Sequence, residues 1–341
     1  MERSERVMIA GVGGASLGTE IGKSLELAGG YQVYGCDISR TAFGLYHGSF
    51  AGTRCVDPEN YVPSVLAACR DFGTRYLIAG GEQPMRLLGN AADRLADAGI
   101  ALLGNDPAVI GLLSDKGETF RLLSGRGISI PRTAPLDGLD ALDYVGLPCI
   151  VKPATGSGGS VSVFFSVGAD EAMHYAEFIR RNGNQPIAQE YIDVVEGEFT
   201  IGVLSLPDQR VVGSIALRRD LNSKLSVAYR GRGGLVSSGY SQGRIDQYPD
   251  LCDQAEAIAS AVGSRGPLNI QGRVRDGTLL PFEINPRFSA STYLRALAGF
   301  NEVDLFMKHA VSGEVPERPK IRVGWYLRSL SEQYVADNEL K

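Results

Sequence analysis

The stretch LNIQGRVRDGTLLPFEINPR, residues 268–287, constrains this chain more than any other. Two runs of strand-like residues flank Asp276-Gly277, a dipeptide whose backbone suits a tight two-residue turn, so the segment reads as a β-hairpin. In extended backbone, residues two apart face the same way, which puts the Glu283 carboxylate beside the Asn285 amide. Gln271, on the partner strand, delivers a third oxygen. Hard oxygen donors in a small cluster suit Mg²⁺, which keeps waters and phosphate oxygens in its other positions. A solvated hairpin face would also be polar, but Glu283 interrupts the apolar run LLPFEI, where a carboxylate without a cation is costly.

The front of the chain has another rhythm. VMIAGV, YQVYGCD, RYLIAGG and IALLGN alternate with helix-period segments near 18–28, 60–71 and 84–97, the pattern of a parallel, doubly wound α/β unit over residues 1–112. Around Ser114 the pattern changes. A helix from Asp115 to Leu123, the runs ISIPRT, PCIVKPA and VSVFFS, and a helix from Ala169 to Arg181 predict a small α+β unit over 113–187. Longer, more antiparallel strands are expected over 188–341. A net charge of -5 provides no basic field for a nucleic-acid partner. No run approaches the roughly 20 apolar residues of a membrane span and the start carries no signal-peptide core, so a cytoplasmic protein without a membrane partner is expected. The 5 cysteines are scattered without a CxxC pair and read as free thiols, and the 3 histidines are too far apart for a metal motif.

Glycine, at 43 residues, falls in separate clusters. GVGGASLGTE (Gly11–Glu20) opens a helix after a strand, but Ser16 stands where a dinucleotide fingerprint needs glycine, even though Asp37 ends the next strand as a ribose-binding acid would. GTEIGKS (Gly18–Ser24) is one residue short of the phosphate-loop spacing, so Lys23 reads as a solvated helix lysine. The front loop is left as a substrate-anion site or a structural turn. KPATGSGG (Lys152–Gly159) is different: a lysine on a buried strand needs an anion, and the loop after it, with Ser157, Gly158 and Gly159, can close over phosphates. Lys116, starting a helix, is a second candidate phosphate cation. QEYIDVVEGEFT (Gln189–Thr200) reads as a strand and charged linker carrying Glu190 and Glu198.

In this order, DK, KPATGSGG, EYI…EGEFT and Q…FEINPR resemble the ATP-grasp superfamily. The wording NxQ…EINPRFS is similar to the synthetase domains of carbamoyl-phosphate synthase large chains and their stand-alone relatives. The resemblance covers about residues 110–300. It implies an ATP-grasp fold, mixed α/β and α+β, behind a Rossmann-like pre-ATP-grasp domain with a parallel sheet. It also implies that Lys116 and Lys152 hold ATP phosphates under the 156–160 loop, that Glu190 and the Ile192 backbone meet adenine, and that Glu198 meets ribose. Gln271, Glu283 and Asn285 would hold two Mg²⁺, with Mn²⁺ as a possible substitute, and Arg287 would steady the reacting carboxylate or acyl phosphate. Two features depart from the carbamoyl-phosphate pattern: those domains can carry arginine at the two lysine positions, and this chain has one synthetase-like unit with no glutaminase segment.

The expected activity is a carboxylate-amine ligase that forms C–N bonds through an acyl phosphate and releases ADP and phosphate. Arg219, Arg287 and Lys152 are its candidate catalytic residues, and small-molecule carboxylates and amines are its substrates. Glu82, Arg232, Ser289, Ser291 and Arg295 are candidates for the substrate pocket, and the glycines of 231–234 for a second mobile lid. A phosphotransferase of the same fold and a non-catalytic nucleotide-binding module are the alternatives, and a homodimer through the front domain is the expected assembly.

Overall fold

The computed structural model describes residues 4–14, 17–156, 162–231 and 233–341. The front unit runs β1 (Glu5–Ala10), α1 (Leu17–Ala28), β2 (Tyr31–Asp37), β3 (Gly52–Cys55), α2 (Tyr61–Phe72), β4 (Tyr76–Ala79), α3 (Glu82–Gly89), α4 (Ala92–Asp97) and β5 (Ala101–Leu103). Its strands form one parallel sheet in the order β3-β2-β1-β4-β5. The loops after β1 and β4 meet at the point where the strand order reverses. Their glycines are structural: a Cβ on Gly18 would lie 1.9 Å, and on Gly80 2.1 Å, from the Gly11 carbonyl oxygen. Asp37 holds the same loop, accepting from the Val12 amide at 2.8 Å and the Ser39 amide at 2.9 Å.

Two helices, α5 (Pro107–Ser114) and α6 (Lys116–Gly125), lead into the small unit of β6 (Thr133–Pro135), α7 (Leu139–Val145), β7 (Cys149–Pro153), β8 (Phe164–Ser166), α8 (Ala169–Arg181) and β9 (Pro186–Glu190). Its sheet has the order β6-β9-β7-β8. The remainder comprises β10 (Glu198–Ser205), β11 (Val211–Arg219), β12 (Val227–Gly231), β13 (Gly234–Ser237), β14 (Gly243–Ile245), α9 (Pro249–Ala261), β15 (Pro267–Arg275), β16 (Thr278–Asn285), α10 (Thr292–Leu297), α11 (Glu302–Ser312) and β17 (Gly324–Tyr326). Six of its strands form a sheet in the order β16-β15-β10-β11-β14-β17, and β12 and β13 pair as a separate hairpin. Within the stretch expected as a second glycine lid, Gly231 ends β12 and Gly234 begins β13. The helix expected over 84–97 is two helices, α3 and α4.

The cuts expected after residues 112 and 187 fall inside α5 and β9. The first and third units share one apolar core, in which Val7, Ile9, Ile21 and Leu25 pack with Leu204, Phe300, Val303 and Phe306. Polar ties reinforce the joint: Tyr31 donates to Asp304 at 2.8 Å, the Asn301 amide to the Ser24 carbonyl at 2.7 Å, and Arg328 to Glu20 at 2.8 Å.

Arg295, expected in the substrate pocket, is instead 0% exposed. Its guanidinium bonds Glu302 at 3.2 Å, Asn269 Oδ1 at 2.6 Å and Thr200 Oγ1 at 3.1 Å, joining α10, α11 and the large sheet. Gly202 makes room for it, since a Cβ there would stand 2.4 Å from Arg295 Nη1. Burial without solvent obliges the charge to be paired, which is why this arginine serves packing rather than ligand contact. Replacing Arg295 with Met leaves Glu302 buried and unpaired and is expected to cost about 3–5 kcal/mol in urea unfolding. Adding Glu302→Leu should recover part of that loss, as coupled neighbours do.

Candidate active site

Side chains of the large sheet alternate between two faces, both of which contribute to apolar cores, and on β15 and β16 one face carries a polar cluster. On β15, Leu268, Ile270 and Val274 enter the core under α9, which leaves Asn269, Gln271 and Arg273 on the opposite face. Asp276 and Gly277 both take positive φ, 53° and 69°, as a two-residue hairpin turn requires. Register then pairs Gln271 with Glu283 and Asn269 with Asn285. Between Gln271 and Gly272 the register shifts by one, so Phe282 is an extra residue on β16. Its carbonyl is thereby turned to Lys152, which donates to it at 2.8 Å and to Gln189 Oε1 at 2.8 Å.

Lys152 is 4% exposed. Burial, and then the neighbouring Lys116 charge, lower its pKa from 10.5 to about 7, against the pull of Glu283. The two lysines are brought together by the chain itself: the Lys116 amide at the start of α6 donates to the Ala154 carbonyl just after β7, at 3.1 Å. They line a cleft of about 670 Å³ with Ile150, Gln189, Glu190, Ile192, Gln271, Arg273 and Glu283. Apolar walls, two clustered cations and a nearby carboxylate make this a cleft for an anionic ligand with a flat apolar part. Ser157, Gly158, Gly159 and Arg232 lie outside the described residues.

Glu190 and Ile192 reach the cleft, but their groups are engaged. Glu190 accepts from Arg132 at 3.2 Å and Arg275 at 2.7 Å, and the Ile192 carbonyl from Arg273 at 2.7 Å. Glu198 departs from expectation. It is 0% exposed and sits between Arg219 on β11, at 3.1 Å, and Arg273 on β15, at 2.8 Å. Burial alone would raise its pKa, yet the two guanidinium charges hold it below the usual carboxylate range. Both oxygens are spent on this clamp, so a ribose contact from Glu198 is not what the fold provides. Arg219 is likewise committed, its Nη2 donating to the Ser226, Ser238 and Tyr240 carbonyls, and only Nε is left without a partner among the described residues. It ties the segment after β11 to the sheet.

A second cleft, of about 1110 Å³, opens between the front unit and the same polar face. Gly80, Gly81 and Glu82 line it from one side; Thr200, Arg219, Asn269, Gln271, Glu283, Arg287, Ser289 and Ser291 line it from the other. Ser291 bridges Ser241 at 2.9 Å and Ser289 at 3.1 Å. Burial lowers the Arg287 pKa below the usual guanidinium range, with Glu283 and Glu82 opposing that effect. Gln271 and Glu283 line both clefts, and a third, smaller one holds Glu82, Lys116, Glu283 and Asn285. Glu283 is thus the point where all three meet. Among the described residues no group of three or more His, Cys, Asp or Glu could hold a metal, so any cation here would rest on one carboxylate and amide oxygens.

Residues 190–332 match the family described as ATP-grasp in the biosynthetic pathway with Ter operon. The carbamoyl phosphate synthase large chain of Micrococcus luteus is 28% identical over 244 residues, 68% of this chain and 21% of that one. A biotin carboxylase from Campylobacter jejuni, solved as a β-γ-ATP complex, has the same fold at a TM-score of 0.69 and 16% identity, over 92% of this chain and 73% of that one. The chain is thus similar to ATP-grasp enzymes in sequence over residues 190–332 and has the ATP-grasp fold over most of its length. An L-amino acid ligase from Bacillus licheniformis shares the ATP-grasp fold as well, with a TM-score of 0.66 and 18% identity over 92% of this chain and 75% of that one. The chain spans only about a fifth of the curated relatives it matches, 21% and 18% of the first two. No described helix is long and apolar enough to cross a membrane.

Arg273 was not singled out from the ATP-grasp sequence, although the period-two alternation that places Gln271 also places Arg273 on its face. Arg132 and Thr200 carried no such signal, because their partners lie far away in the chain.

The depressed Lys152 pKa has a thermodynamic consequence. Between pH 7 and 10.5 the unfolded chain keeps this proton and the folded chain does not, so Lys152 makes stability rise with pH across that window, while below about 7 both states are protonated and its contribution is constant. Urea unfolding of Lys152→Met from pH 6.5 to 10 should show a shallower rise than wild type.

Proposed function

We propose that this chain is an ATP-dependent ligase that activates a carboxylate as an acyl phosphate and transfers the acyl group to an amine, forming a C–N bond. The observation that carries this reading is the position of Glu283 and Gln271, shared by a lysine-lined cleft and an arginine-lined one. A triphosphate in the first would end where a carboxylate in the second begins, which is the arrangement in-line phosphoryl transfer needs.

In this reading adenine enters the apolar end of the first cleft near Ile192, and Lys116 and Lys152 take the phosphates. Gln271, Glu283 and Asn285 would hold Mg²⁺. The residues suit it: the donors are oxygens on adjoining strands, and the buried Asn285 amide has its nitrogen unpartnered among the described residues, so no protein group orients it. When bound, the ion supplies neutralisation of phosphate charge. Two ions, or Mn²⁺ in place of Mg²⁺, belong to the same proposal. Arg287 holds the substrate carboxylate, one of whose oxygens bonds the γ-phosphorus as the bond to the bridging oxygen breaks and ADP leaves. The amine then bonds the acyl carbon, phosphate departs with the former carboxylate oxygen, and the amine loses a proton to solvent. Arg219 acts at a distance, by fixing the segment over the cleft.

Glu283→Gln is expected to reduce ATP turnover by at least about 100-fold with the melting temperature little changed, as a lost charge-stabilising group does; near-normal turnover would remove the metal assignment. Release of AMP and pyrophosphate, rather than ADP and phosphate, would exclude the acyl phosphate. Lys152 provides a further check. Its proton is largely absent at pH 8 in the free protein, and a bound polyphosphate favours the charged form, so MgADP binding should take up a proton. Calorimetry in buffers of differing ionisation enthalpy reads this directly, and Lys152→Arg should abolish the uptake.

A further inference from the structure

Two opposite charges face the arginine-lined cleft without meeting. Arg287 has one side-chain hydrogen bond among the described residues, to the Phe288 carbonyl at 2.9 Å, and no ion pair within 4.0 Å. Glu82 lines the same cleft from the start of α3 and makes neither a hydrogen bond nor an ion pair with a described residue. An acid in the first turn of a helix is stabilised by the helix dipole, which explains why Glu82 is tolerated there. The dipole does not require it to face a cleft walled on the other side by a guanidinium.

These charges select among ligands. A simple carboxylate would satisfy Arg287 and leave Glu82 facing it, a dicarboxylate would meet Glu82 with like charge, and a simple amine would leave Arg287 unanswered. A molecule with both groups answers both. Resting on the ligase reading above, we propose that the activated substrate is an amino acid, its carboxylate held by Arg287 beside Glu283 and its ammonium by Glu82. Glu82 is then a specificity-determining residue supplied by the front unit, and the shared core between the first and third units holds it opposite Arg287.

The test uses the full chain with MgATP and hydroxylamine as a common acceptor of the acyl group, and follows ADP release with each proteinogenic amino acid and several ω-amino acids, each compared with the carboxylate lacking its amino group. At least one amino acid is expected to be used with a kcat/KM about 10- to 100-fold above its des-amino partner, the advantage of one charge-assisted hydrogen bond. Glu82→Gln should erase that ratio by raising KM for the amino acid, Glu82→Asp should keep most of it, and neither should change MgADP affinity. A purely structural role for Glu82 would lower both substrates together. Equal or better use of the des-amino carboxylates, or an unchanged ratio in Glu82→Gln, overturns the amino-acid assignment and leaves carboxylate activation standing. If MgATP binds and no compound releases ADP, carboxylate activation fails. Thermal stabilisation by amino acids in the presence of MgADP then still reads the site, and its absence overturns the assignment as well.

Discussion

Side chains alternate along a strand, so a one-residue slip of β16 along β15 would send Glu283 and Asn285 into the core and Ile284 into the clefts, while β15, paired with β10, would keep Gln271 where it is. Everything proposed for this site depends on that register holding. It is held at one end by the Asp276–Gly277 turn, where both residues take positive φ, and adjusted near the other by one extra residue, Phe282. The bulge turns the Phe282 carbonyl to Lys152 and so couples the large sheet to the small unit that carries the lysine. A local irregularity thereby joins the oxygen cluster and the cation cluster.

Buried charge is used in two ways in the same neighbourhood. Glu198 between Arg219 and Arg273, and Glu302 against Arg295, are closed networks in which each charge answers another, and they fix strands and loops. Lys116, by contrast, adds to the cost of a charge on buried Lys152, and Arg287 and Glu82 face one cleft without an ion pair among the described residues. Closed networks account for structure without a ligand. Open ones are stable only in so far as burial is incomplete or something else completes them, which is why the functional reading rests on the open set.

The parts of the fold readable from sequence were those with short-range rules. The hairpin followed from a turn dipeptide between strand-like runs, the front parallel unit from alternating apolar runs and helical periods, and the lysine on a buried strand from its neighbours Ile150 and Val151. Glu198, Arg219 and Arg295 looked like ligand groups because charged residues near glycine or a motif commonly are. Their partners, Arg273, Ser238 and Tyr240, and Glu302 with Asn269, are set by tertiary contact.

Residue order alone was therefore enough for the oxygen-bearing strand face, because periodicity and turn chemistry act over a few residues, and the resemblance to ATP-grasp enzymes supplied the expected fold and the lysine pair. Which charges neutralise one another, and which remain facing a cleft, was settled only by packing. Pairing depends on strand order and on the front unit sharing its core with the last, and both bring together residues more than a hundred positions apart, as Lys152 and Phe282 are. Glu82 and Arg287 acquire a joint meaning in the same way: nothing in either segment names the other, and they face one cleft only because the two units pack as one body.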